Sequence, residues 1–282
     1  MILNRYSAIF YLLLASVVIS FGGLIMRSIH FADPWQIAFY RGVAFTASIF
    51  FILLLQYRSS FFLSVKKIGY PGLFGGFLLM VTNLLFIQAI ANTSIANALF
   101  TLSSIPFITT FLAFIFLKEK LSLRTIIIML FALIGIFIMI NEGLETGGFL
   151  GNLLAVLTAI CFSGFAIVVR KYRSVDMLPT LLISGLLIVL ITFFLNLGNF
   201  SVTLRDLLLC FLWGGVLSGF VNSVFIFATR YLFASEVTFF MLLEFSLGPF
   251  WVWLFMNETI SMRTMLGGLI VMICVALYSC IE

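Results

Sequence analysis

Charge is what this sequence has least of. Only 9% of its 282 residues are Asp, Glu, Lys or Arg, where a soluble domain carries roughly 25%. With 63% hydrophobic residues, no water-soluble surface can be built from what remains, and the bilayer is the natural solvent. Histidine occurs once, as His30, in what reads as a solvated loop. The four cysteines, Cys161, Cys210, Cys274 and Cys280, form no CxxC and no Cys/His cluster. They read as small apolar packing residues rather than metal ligands or a disulfide framework. No G-x-x-x-x-G-K-[ST] phosphate loop is present, which argues against an ATP-driven pump. No H-E-x-x-H and no pair of intramembrane aspartates is present either, so an intramembrane enzyme lacks its machinery. We expect no catalytic residue, cofactor or metal. Nothing resembles a ring of filter carbonyls or stacked charged rings, which argues against a passive pore. The net charge of +5 is spread over the ends of apolar runs and is no nucleic-acid footprint.

What is present is apolar length. A helix needs roughly 20 mostly apolar residues to span a bilayer. The sequence offers ten such runs, at 6–26, 34–56, 69–91, 95–117, 123–141, 149–170, 178–197, 205–230, 235–256 and 263–281. A β-barrel would need alternating strands of about ten residues, and these runs are apolar throughout. The fold class is therefore an all-α integral membrane protein of ten transmembrane helices. The first run has Arg5 before it and no A-x-A site after it, so it reads as a retained span rather than a signal peptide. Asp33-Pro34 is an N-cap followed by proline at N1, and Pro179 sits near another helix start. The weakest boundary is the break after residue 91, in "ANTSIAN".

Lys and Arg set the orientation. With the N-terminus inside, the inner loops hold Arg5, Arg58, Lys66, Lys67, Lys118, Lys120, Arg124, Arg170, Lys171, Arg173 and Arg230, while the outer side holds Arg27, Arg205 and Arg263. Both termini are expected in the cytoplasm, in a multi-pass inner membrane protein.

The chain also repeats itself. "LKEKLSLRT" (Leu117 to Thr125) returns as "MNETISMRT" (Met256 to Thr264) at an offset of 139. The same offset takes Gly75-Gly76 to Gly214-Gly215, Asn83 to Asn222, Phe86 to Phe225, Ala89 to Ala228 and Phe100 to Phe239. It drifts by a few residues in the earlier spans. Five spans then five again, residues 1–141 and 142–282, is the reading. Five is odd, so the halves enter the membrane from opposite sides as an inverted repeat. In the turn, Ser122 and Ser261 are expected N-caps, with Glu119–Arg124 and Glu258–Arg263 as clamps. The lysines at 118 and 120 become Asn257 and Thr259 on the side where positive charge is disfavoured.

Two five-helix repeats, each with a Glu-containing turn before its last helix, resemble the drug/metabolite transporter superfamily, and within it the EamA-type ten-helix members. The resemblance is carried by Pro106, thirteen positions before Glu119, and by "LEFSLGPFWVWLFMNE" (Leu243 to Glu258). It implies a secondary transporter with alternating access and a small-molecule substrate, more often an exported amino acid or related metabolite than a drug. One departure is visible. The mate of Pro106 is Phe245, and the second-half proline is Pro249, so the kink of the ninth span is expected nearer the outer side.

Eight residues are candidates for substrate binding. Arg41 lies seven residues into the second span, roughly 10 Å deep at 1.5 Å per residue, where a cation is costly unless paired or hydrated. The dull alternative is snorkelling. Glu244 is the acid well inside a span, either a partner for Arg41, a proton site or an anchor for a substrate cation. A zwitterion suits the pair, carboxylate to Arg41 and ammonium to Glu244. Asn83 and Asn222 are symmetry mates that line a cavity or bridge helices. Ser104 precedes the carbonyl-freeing Pro106. Tyr40, Trp213 and Trp251 are cavity walls or interfacial anchors; Trp35 and Trp253 read as anchors. Gln88, Asn92 and Asn97 point to an outer vestibule. Small residues at four-residue spacing, Ala155-Ala159-Ser163, Gly214-Ser218 and Gly215-Gly219, suit close helix approach. The expected partners are a small-molecule substrate and the lipid bilayer, with protons a candidate coupling ion and either a monomer or a homodimer allowed. A proton-coupled exporter of organic cations is the competing reading.

Overall fold

The computed structural model describes residues 5–93, 95–119, 122–143 and 149–256, together with 262, 266–267, 269–270, 273–274 and 276–277. Among these residues all regular structure is helical. The first apolar run is α1 (Arg5–Ser20) and α2 (Gly22–Ser28), broken at Phe21. The second is α3 (Pro34–Tyr57), opened by Pro34 and by the Asp33 N–H donating to Gln36 Oε1 at 2.9 Å. A short α4 (Phe61–Lys67) follows, then α5 (Gly69–Asn92). The doubtful break after residue 91 is real: Thr93 is extended, and the fourth run begins anew as α6 (Ile95–Leu102) and α7 (Ile105–Leu117). Next come α8 (Leu123–Gly143), α9 (Phe149–Lys171) and α10 (Pro179–Leu195). The eighth run is α11 (Leu204–Phe211), a π-helical stretch Leu212–Ser218, and α12 (Gly219–Ala228). The ninth is α13 (Ala234–Phe240) and α14 (Leu242–Met256).

Among the described residues, six continuous helical runs are long and apolar enough to cross a membrane: Arg5–Ser28, Pro34–Tyr57, Gly69–Asn92, Phe149–Lys171, Leu204–Ala228 and Ala234–Phe255. Shorter apolar stretches, Ile105–Leu117, Ile126–Gly135 and Pro179–Leu195, fall where other spans were expected. The last expected span lies mostly outside the described residues, as do Lys120, Glu258, Ser261 and Arg263. Phenylalanine and leucine coat the outside; Phe51, Phe111, Phe114, Phe137 and Phe194 are all more than half exposed, as a lipid-facing surface requires.

Small residues decide how closely the helices approach. A Cβ on Gly42 would lie 2.6 Å from Ile188 Cγ2, and one on Gly185 would collide with Thr46 Oγ1 and come to 3.2 Å from Phe45 Cδ1. The α3–α10 crossing thus seats two glycines against each other's neighbours. A Cβ on Gly135 of α8 would lie 2.8 Å from Gly267 O, and one on Gly219 would lie 2.5 Å from Ser48 Oγ.

One face of the bundle is laced by acid–base clusters. Arg170 Nε donates to Glu119 Oε1 at 2.8 Å and Arg170 Nη1 to Thr229 O at 2.8 Å, while the Ala234 N–H donates to Glu119 Oε2 at 3.3 Å. Arg5 pairs with Glu236 at 2.9 Å, and Glu236 also caps α13 by accepting from the Phe233 N–H. Asp176 accepts from Arg230, Tyr57 and Gln56. Burial pushes the Asp176 carboxyl up, but the Tyr57 hydroxyl, the Leu178 N–H and Arg230 outweigh it and hold the carboxyl below its ordinary value. This basic face corrects one expectation. Glu119 is clamped by Arg170, from a helix 51 residues away, and Arg124 is exposed. Lys118, the C-cap of α7, takes the left-handed conformation (φ 54).

Candidate functional site

A cavity of about 110 Å³ lies inside the bundle, walled by α1–α2, α3, α5, α6–α7, α9, the π stretch with α12, and α13–α14. Its lining follows the sequence repeat. Leu79, Thr82, Asn83 and Phe86 of α5 line one side, and Ser218, Val221, Asn222 and Phe225, each 139 positions later, line the other. Leu102 and Ile105 likewise face Met241 and Glu244. Phe86 lies edge-on to Trp213 at 6.3 Å, and Phe225 packs on Phe162 at 5.2 Å.

Five of the eight candidate residues meet here: Arg41, Asn83, Trp213, Asn222 and Glu244. The Arg41 guanidinium sits 4.3 Å over the Trp213 ring, and its Nη2 donates to Ser218 Oγ at 3.1 Å. A desolvated cation–π contact is worth about 2 kcal/mol. That leaves most of the five guanidinium donors without protein acceptors, and Arg41 Nε is buried with no partner. Snorkelling therefore gives way to burial: Arg41 is 8% exposed. A buried cation this poorly satisfied is costly unless something else accepts from it.

The backbone that holds Arg41 explains its position. Gly214, in the π stretch, stands directly against the Arg41 carbonyl, where any Cβ would collide. Both residues that touch the guanidinium, Trp213 and Ser218, come from that same stretch, and the Gly219 N–H closes its wide turn onto Gly214 O. Short π-helical segments recur at functional sites; this one aims two side chains at one cation. Gly214→Ala should therefore displace α3 from the π stretch and lower the melting temperature by the equivalent of about 1–3 kcal/mol of overpacking. Gly164→Ala, whose Cβ would meet only the flexible Leu78 Cδ1 at 3.3 Å, should be near-neutral in the same thermal assay.

Glu244 lies in the first turn of α14, just past the break at Met241. The helix N-terminus favours a carboxylate there. Among the described residues no ion pair joins Glu244 to Arg41, although both line the cavity. The break itself corrects the expected kink. It falls at Met241, eight residues before Pro249, and answers the break at Ser103–Ser104 at almost the repeat offset (241 − 103 = 138). Proline is not what interrupts this helix; Pro249 stands inside α14.

Asn83 and Asn222 behave identically. Each donates Nδ2 to the carbonyl four residues back, Leu79 O at 2.8 Å and Ser218 O at 2.9 Å, leaving its amide oxygen for the cavity. The other three candidates stand outside the lining. Tyr40 donates its hydroxyl to Phe200 O, Ser104 Oγ donates to Thr101 O at 2.7 Å, and Trp251 lies one layer back. Trp251 stacks on Phe21 at 4.6 Å and donates to Ser20 Oγ at 2.7 Å. Ser20, Gly22 and Gly23 do line the cavity, and sequence reading missed them, along with Thr82, Thr158 and Ser218. The signal for the first three was the Gly-Gly pair within the first span; Thr158 carries none.

Ile90 also belongs to a shallower pocket with Met26, Arg27, His30, Thr93 and Ile95. Ile90 lines both, so this pocket, which opens at the Arg27 and His30 end of the bundle, adjoins the cavity. Asn92, exposed and donating to Gln88 O, lies toward that mouth; the Asn97 side chain lies outside the described residues.

A multi-pass helical bundle around a charged, aromatic-walled cavity within the membrane is the architecture of a solute carrier. Residues 6–141 match the model of the EamA-like transporter family, and through that half the chain belongs to this family, part of the drug/metabolite transporter superfamily. No curated protein matches the chain. A solved structure described only as "Crystal structure of protein" is similar over 99% of this chain and 98% of its own, with a TM-score of 0.80 at 13% identity; the likeness is one of fold.

Proposed function

We propose that this transporter works by alternating access, as two inverted five-helix halves, and moves a small zwitterionic metabolite such as an amino acid out of the cytoplasm across the inner membrane. One observation carries the reading. The cavity brings a cation and a carboxylate from opposite halves together and does not pair them, so a substrate with both charges can bridge Arg41 and Glu244.

The inverted repeat is supported by reciprocity. Gly42 contacts Ile188 and Val189, and Gly185 contacts Phe45 and Thr46. These are mates at one offset of 143 (185 − 42, 188 − 45, 189 − 46), the isologous pattern of a two-fold interface. The start of α1 and the end of α9 lie on the same face, so the first helices of the two halves run in opposite directions. That face carries most of the Lys and Arg, which favours it as cytoplasmic. Three acid–base clusters cross-link this face, which supports its being the closed side in one state of an alternating cycle.

Counterflow in proteoliposomes tests the mechanism. Vesicles preloaded with an amino acid should take up labelled amino acid faster than empty ones. Equal rates would indicate a pore and overturn the proposal. The competing reading, a proton-coupled exporter of organic cations, draws on the Glu244 carboxylate among Phe86, Phe162, Phe225 and Trp213; it needs no role for Arg41.

A further inference from the structure

A second concavity opens on the outside of the bundle, between α1, α3 and α11–α12. It is a groove of about 1000 Å³, far larger than the central cavity, and no charged residue lines it. Ala44, Ala47 and Gly215 form its floor, with Val216, Phe220 and Phe227 among its walls. It extends from Leu208 to Phe227, about 28 Å at the helical rise, so it lies within the hydrocarbon layer. Its end toward the basic face is closed by Tyr11 and Phe227, edge to face at 6.3 Å.

Each helix that walls the groove carries an arginine just past this end. Arg5 opens α1, Arg58 follows the last residue of α3, and Arg230 lies two residues beyond α12. Arg58 is exposed, and its side chain has no ion pair or hydrogen bond among the described residues. We infer that the groove seats an acyl chain of an anionic phospholipid from the leaflet on the basic face, its headgroup at Arg58 with Arg5 and Arg230 beside it. Charge favours a lipid over a second copy of the chain: Arg5 and Arg230 are already paired with Glu236 and Asp176, whereas the exposed Arg58 is a cation that a phosphate would neutralise and a second copy's Arg58 would not. The groove backs directly onto the α3–π contact, where Ala44 O lies 3.4 Å from the Cβ position of Gly215, so a chain lying there supports the contact that positions Arg41.

Native mass spectrometry of the full-length protein in detergent tests this with phosphatidylglycerol and phosphatidylcholine of identical chains. Wild type should retain one phosphatidylglycerol in preference to phosphatidylcholine. Arg58→Gln should weaken that preference about fivefold, the worth of one basic group near a membrane surface. Ala47→Phe, at an exposed position of the groove's floor, should remove the retained lipid whatever its headgroup. Equal retention of both lipids by wild type, unchanged in both variants, would overturn the inference. So would a change of oligomeric state in Ala47→Phe with lipid retention intact, which would make a second copy the occupant. Should Ala47→Phe fail to fold, an unaltered lipid preference in Arg58→Gln is sufficient to reject it. Neither variant touches the central cavity, so failure here leaves the transport reading standing.

Discussion

Arg41→Ala should leave a folded protein with amino-acid uptake reduced at least about 30-fold, since truncating one member of a buried charge interaction costs roughly 2–5 kcal/mol. The guanidinium has one hydrogen bond to protein and one ring contact, so little native structure depends on it. Removing an under-satisfied buried cation relieves desolvation cost, and the melting temperature should hold or rise. Arg41→Lys should not rescue transport, because an ammonium offers neither the planar fork nor the stacking on Trp213. Glu244→Gln keeps the shape and deletes the charge. With a zwitterionic substrate both single variants fail, and the double variant loses less than the sum, because the two residues hold one ligand. Uptake and binding measured across this cycle decide the substrate class. Uptake of an organic cation that survives Arg41→Ala but not Glu244→Gln would favour the competing reading.

The repeat made the scaffold legible. Offset 139 matched the third span to the eighth, and Leu79, Thr82, Asn83 and Phe86 share the cavity lining with their mates Ser218, Val221, Asn222 and Phe225. A duplicated helix face duplicates its position, and position is what periodicity encodes. Chemistry was less legible because it breaks the symmetry. Glu244 stands opposite Ile105, and at the α3–α10 offset Arg41 stands opposite Ser184. The charges were found because a charge in an apolar run is conspicuous. Ser20, Thr158 and Ser218 are ordinary in such a run and acquire a role only when helices from distant sequence converge. Tyr40 and Trp251 were placed by depth in the membrane and Ser104 by the proline that follows it, but neither fixes azimuth, and all three stand outside the cavity lining. The helix breaks show the same division. Pro106 marks one of them, whereas Pro249 misplaces the other by eight residues. An expected kink in a span follows the packing of its neighbours more than the proline count. The Glu119 clamp was misread for a related reason: local sequence offers Arg124, and only the fold brings Arg170.

That clamp carries the second large effect. Arg170 and Glu119 have side chains 7% and 10% exposed, and together they tie the end of α7 to α9, to the end of α12 through Thr229 O and to the start of α13 through the Ala234 N–H. Breaking a buried pair by removing one partner costs about 3–5 kcal/mol. In Glu119→Gln the Arg170 charge would keep only Thr229 O and the Phe233 ring, 5.3 Å away, so the basic face should separate at this seam rather than the bundle unfold. Thr229 is fully buried. In a cysteine-free background, Thr229→Cys should therefore react with an impermeant maleimide slowly when Glu119 is present. In the Glu119→Gln background it should react about a hundredfold faster, the population change that some 3 kcal/mol produces. Exchanging the charges, Glu119→Arg with Arg170→Glu, should restore part of the protection. Labelling and melting temperature both unchanged by Glu119→Gln would show that the seam is held by packing alone. The proposal of a closed inner gate would then rest on the Arg5–Glu236 and Asp176–Arg230 clusters, which are partly exposed and individually weaker.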